Sequence, residues 1–167
     1  MDGKLHLFSL YVDFEASVRA RKVAVKIAKI ASPGWRTSSE MWKMDSLVAS
    51  GSVQQMAAND AANADVIIVA VSSLKQREPA LIEWLDKLAD WHINRSGLLI
   101  GLLGDDENQT AELDWTVKSL MQCAQKMGRD FIWHWTGEDS LSNLDWLGEN
   151  MNNLQVRKFD KDNEVVF

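Results

Sequence analysis

Apolar positions along this chain fall into two patterns. Residues 5–13, 65–73 and 97–104 are apolar on both faces with little alternation. Strands of that kind need cover above and below. The clearest is 65–73, Asp-Val-Ile-Ile-Val-Ala-Val-Ser-Ser, whose apolar residues are mostly β-branched. Between these runs, apolar residues recur at threes and fours, the period of an amphipathic helix. The first helix follows Asp13, a side chain suited to capping a first turn. It runs to about residue 31, with Ala16, Ala20, Val23, Ile27 and Ile30 inward and Lys22, Lys26 and Lys29 outward. Pro33-Gly34 ends it.

Residues 35–42 form a second strand, rich in Ser and Thr and therefore suited to a sheet edge. Residues 45–49 predict a short turn or helix. A firm helix over 51–64 turns Val53, Met56, Ala57, Ala61 and Ala64 inward. Pro79 opens a helix over 80–94 with Leu81, Trp84, Leu85, Leu88 and Trp91 on one stripe. An acidic loop, 105–110, leads to a helix ending near 127, which turns Leu113, Val117, Leu120, Met121 and Ala124 inward. Gly128 stops it. Residues 130–136 make the fifth strand and 141–154 a last helix. Residues 157–167 form a tail or an added edge strand.

Strands alternating with helices predict right-handed parallel crossovers wound on both faces of one sheet. The expected fold is α/β in three layers, a single domain over residues 1–156, with a parallel five-stranded sheet in the order 2-1-3-4-5. At 167 residues the chain is long enough for a full core.

Charge narrows the partners. The net charge of −6 lacks the basic surface that a phosphate backbone requires, so no nucleic acid is expected. No stretch has the length of a membrane span and no secretory leader is visible, which predicts a cytoplasmic protein without membrane contact. Cys123 is the single cysteine, so no internal disulfide forms. His6, His92 and His134 are too scattered to nominate a metal site, and neither metal nor cofactor is predicted.

Several stretches carry a resemblance. They are Asp13-Phe14 with Arg19-Ala20, Trp42 with Asp45 and Leu47, and residues 57–65 running into Val66-Ile67-Ile68; Pro79 before Trp84-Leu85 also fits. Up to Gly104 the chain resembles a family of small uncharacterised bacterial proteins of flavodoxin-like, Rossmann-like pattern. The resemblance implies that fold and no catalytic residue.

In such sheets ligands bind beyond the carboxyl ends of the strands, at the switch in strand order. There the fold gathers Asp13, Ser17 and Arg19 after the first strand, and Ser72, Ser73, Lys75 and Arg77 after the third. These are the candidate ligand-binding residues, with helix amides nearby that favour an anion. Each has a plain alternative: Asp13 and Ser72 as caps, the cations as solvated side chains. A flavodoxin-type phosphate loop needs Ser or Thr and Gly after the first strand. Phe14-Glu15-Ala16-Ser17 lacks the glycine and adds a negative charge, so a tightly held flavin phosphate is not expected. No Walker or dinucleotide glycine pattern follows a strand. A receiver domain needs an acidic residue after the third strand and a lysine after the fifth, and Ser72-Ser73 and Trp135-Thr136-Gly137 supply neither. Glu83 resembles the glutamate of ribosyl-transferring folds but shares its helix face with Asp86, Lys87 and Asp90.

Asp60 falls on the apolar arc of its helix. A carboxylate there needs a donor, and Arg19, Arg36, Trp35 and Trp42 are the candidates for a structural polar network. Trp115 stands off its helix stripe, either exposed as a contact surface or folded on a neighbouring loop. The chain holds eight tryptophans against one tyrosine, and with Trp115 this surplus suggests a homodimer. Two function classes follow. One is a non-enzymatic binding or interaction module. The other is a protein or enzyme taking a small anionic ligand or nucleotide at the rim.

Overall fold

The computed structural model describes residues 3–31, 34–73, 77–91, 97–104, 111–135, 147–148 and 151. Its elements are β1 (Lys4–Tyr11), α1 (Phe14–Ile30), β2 (Arg36–Lys43), α2 (Met44–Ala49), α3 (Gly51–Ala62), β3 (Val66–Val71), α4 (Pro79–Trp91), β4 (Leu98–Leu103), α5 (Ala111–Met127) and β5 (Asp130–Trp135). The strands pair in the order β2-β1-β3-β4-β5, all parallel. This is the expected sheet, with β3 at its centre and β2 at an edge.

Strand alternation divides the core into two layers. Leu5, Leu7, Val66, Ile68, Leu98, Ile100 and Leu102 pack on one face, beneath Ala16, Ala20, Val23 and Ile27 of α1. Phe8, Leu10, Ile67, Val69, Leu99 and Leu103 pack on the other, against α3, α4 and α5. Phe8 stacks on Trp84 with ring centres 5.7 Å apart. Every residue of β3 and β4 is buried, as runs apolar on both faces require. Along β2, exposed and part-buried positions mix, as befits a polar edge.

Helix faces differ from the sequence reading at two methionines. Met56 is 58% exposed and Met121 is 42% exposed. On α3 the buried set is Ala57, Ala58, Ala61 and Ala62, so the helix seats on a row of small side chains and the bulky Met56 is turned out. On α5 the buried set includes Thr116 and Cys123. Thr116 enters the core because its hydroxyl donates to the Glu112 carbonyl at 2.8 Å within the helix. Of the predicted last helix, 147, 148 and 151 are described and helical, and Leu147 and Met151 are buried against the face covered by α1. The rest of 141–154, and all of 157–167, lie outside the described residues.

The amino end of the sheet is closed by a polar network that sequence reasoning missed. Asp65 is buried; its amide donates to the His6 carbonyl at 2.8 Å and its carboxylate accepts the His6 amide at 2.9 Å. Arg129, 7% exposed, donates to the carbonyls of Ala64 at 2.7 Å and Asp65 at 3.3 Å. Gly97 sits between them. A Cβ there would fall 2.5 Å from the Asp65 carbonyl oxygen and from the guanidinium. No helix among the described residues is long and apolar enough to cross a membrane.

Candidate site at the carboxyl rim of the sheet

The site is built where β1 and β3 end side by side. Only Val12 and Asp13 separate β1 from α1. The β1–β3 and β3–β4 seams extend into the rim through Val12 amide to Ala70 carbonyl, 3.3 Å, and Gly104 amide to Val71 carbonyl, 2.7 Å. Gly104 makes that turn at φ +72°, a conformation glycine adopts without strain.

Asp13 caps α1 as expected, its Oδ1 accepting the Ala16 amide at 2.8 Å. Its Oδ2 accepts a hydrogen bond from the Ser72 hydroxyl. Ser72 is 3% exposed and directly follows β3. One carboxylate thus ties the first helix to the central strand, across 59 residues of sequence. The fold brings Asp13 and Ser72 together at the switch point, with Ser73 partly buried beside them in the chain.

The other candidates divide. The Ser17 hydroxyl donates to the Phe14 carbonyl at 2.6 Å, inside the first turn. The Arg19 Nη1 is enclosed and has no hydrogen-bond partner among the described residues. Arg77 is exposed, and its guanidinium lies 5.3 Å from the centre of the Trp115 ring. That cation–π contact settles Trp115, which is partly buried and folded onto the loop before α4. Lys75 and the loop 105–110 lie outside the described residues. Phe14, which sequence reasoning passed over, is 79% exposed at the start of α1.

Away from the rim, Asp60 accepts the Trp42 indole Nε1–H at 3.2 Å. The donor is one of the four expected. The carboxylate is part-buried rather than buried, because α3 presents its alanine row to the sheet and carries Asp60 to the flank. Glu83 is exposed on α4. The Cys123 thiol is buried and pushed up to about 12, first by burial and then by the Asp86 carboxylate, to which it donates a hydrogen bond at 3.7 Å. A thiol held in this way stays protonated at neutral pH. Among the described residues no cluster of His, Cys, Asp and Glu is arranged to hold a metal.

No protein-family model and no curated protein sequence matches the chain. Solved structures do. A flavodoxin from Streptococcus pneumoniae superposes with a TM-score of 0.56 at 16% identity, over 89% of this chain and 98% of its own. A short-chain flavodoxin associated with a bacterial microcompartment gives 0.57 at 12% identity, over 90% and 97%. A flavodoxin variant from Pseudomonas aeruginosa gives 0.52 at 16% identity, over 90% and 99%. At this identity the likeness establishes the fold. The chain has a flavodoxin-like α/β architecture, the fold that its sequence resemblance implied.

Proposed function

We propose that this chain binds a small ligand at the carboxyl rim of its sheet, beside Asp13 and Ser72. The observation that carries this reading is the meeting of those two side chains where the strand order reverses. Folds of this class place ligands there. A carboxylate already holding one hydroxyl and one amide retains lone pairs for further donors. It suits hydroxyl or amine groups of a ligand. The exposed Phe14 ring supplies an apolar surface at the start of the same helix. A thermal-shift panel of nucleosides, nucleotides, sugars and flavins tests the reading, because a ligand bound by the folded state alone raises Tm. The expected result is a compound whose Tm shift shrinks in Phe14→Ala and Ser72→Ala. A panel without any shift, or a shift indifferent to both substitutions, sinks it.

A second reading, an interaction module or homodimer, is favoured by the exposed Val48 and Met56 on α2 and α3. Light scattering that returns a monomer mass at high concentration removes it.

A further inference from the structure

The flavodoxin-like fold implies flavin mononucleotide, held by its phosphate at the loop after β1. The residues present do not fit that group. We infer that Asp13 is this chain's internal substitute for a bound phosphate: its carboxylate occupies the amino end of α1, and the first loop takes no phosphorylated ligand.

Four observations carry this. The loop is two residues long, Val12 and Asp13, and has no glycine, so little backbone is free to wrap an anion. The Ala16 amide, one of the first-turn donors an anion would use, is spent on Asp13 at 2.8 Å. The second carboxylate oxygen is held by the buried Ser72 hydroxyl, which fixes the side chain over the helix end. Ser17, the serine that follows β1 in the chain, donates its hydroxyl to the Phe14 carbonyl instead. Charge agrees with geometry. Asp13 caps the helix and Glu15 stands in its first turn, so a phosphate placed there would face two carboxylates. The enclosed Arg19 Nη1 reaches neither as a hydrogen-bond donor.

The same arrangement explains what the fold gains. A phosphate bound at a helix amino end would complete it from outside the chain. Here it is completed by the chain, so α1 and the end of β3 are fastened together whether or not a ligand is present. This inference stands apart from the ligand reading above, since it holds even if the rim binds nothing.

Two measurements test it. The first is titration of the full-length protein with flavin mononucleotide and with riboflavin, which lacks the phosphate, followed by flavin fluorescence. The expected result is no preference for the phosphorylated form, including the case in which neither binds. A preference of tenfold or more for flavin mononucleotide overturns the inference. The second compares the Tm of wild type and Asp13→Ala in chloride and in inorganic phosphate at matched ionic strength. Removing the carboxylate vacates the helix end, so phosphate is expected to raise the Tm of the variant more than that of wild type. An equal response in both overturns the substitution. Should Asp13→Ala fail to fold, Asp13→Ser keeps a capping oxygen, drops the charge and carries the same comparison. A blank ligand panel together with this differential phosphate response would discard the rim reading and retain the inference.

Discussion

At the scale of single residues, the sequence was most informative where a polar side chain sat in an apolar pattern. Asp60 is the example. Its place on an apolar arc demanded a donor, and the Trp42 indole supplies one at 3.2 Å. Asp60→Ala leaves that part-buried indole without its acceptor, and is expected to cost about 1 kcal/mol. Asn63→Ala removes an exposed bond to the Asn59 carbonyl and is expected to cost under about 0.5 kcal/mol. Chemical denaturation of the two variants decides the matter, and equal stabilities would sink it. Asp13 was legible as a cap for a similar reason, an acidic residue just before a helical period. Its second bond, to Ser72, was not legible. The two residues are 59 apart, and only the β1–β3 pairing brings them together. Arg129 was missed altogether, because a cation beside a helix-ending glycine reads as solvated. Burial against the Ala64 and Asp65 carbonyls follows from where β5 begins in the sheet.

At the scale of elements, the sequence pattern located the helices and strands that the structure describes, with ends displaced by one to three residues; the predicted end of the fourth helix, 92–94, lies outside the described residues. It was less exact about which face turns inward. Apolar character alone placed Met56 and Met121 in the core, whereas side-chain size decides how closely a helix approaches a sheet. The α4–α5 junction gives this a chemical consequence. Cys123 on α5 donates to Asp86 on α4, and Lys126 donates to the same carboxylate oxygen at 3.2 Å. The folded state holds the thiol up to about 12 against an ordinary 9.0, so the unfolded chain ionises first. The sign follows: the contribution is whole below about pH 9 and is lost as pH rises toward about 12. Stability measured across that window is expected to fall, and Cys123→Ala is expected to flatten the slope. An unchanged slope in the variant would exclude the thiol as its cause. Asp86 and Lys126 are the charged groups that bear on it, and they are present in both proteins.

At the scale of the whole molecule, the strand order followed from one polar strand and three apolar ones, since only an edge tolerates the Ser and Thr of β2. The site was legible only as a location. Its chemistry depends on which loop residues face each other, and that is a property of the assembled sheet. The assembled sheet also has a regular spacing in sequence. Lys4 with Arg36, Val66 with Leu98, and Leu98 with Asp130 are each pairs 32 residues apart, as is the His6–Ser38 contact. The β1–β3 seam alone joins residues 59 apart, the separation of His6 from Asp65. This spacing sets an order of assembly. Near-doubling the closed loop costs about 0.6 kcal/mol more in chain entropy, so the β1–β2 pair and the β3–β4–β5 half, each closed over 32 residues, are expected to form ahead of the β1–β3 seam. Leu99→Ala, within that half, is expected to slow refolding. Leu7→Ala, at the seam where β1 pairs with Val66 of β3, is expected chiefly to hasten unfolding. Stopped-flow kinetics showing the reverse would place the nucleus at the seam, where Asp13 and Ser72 would then act as a late latch on an early contact instead of the clasp that completes the fold.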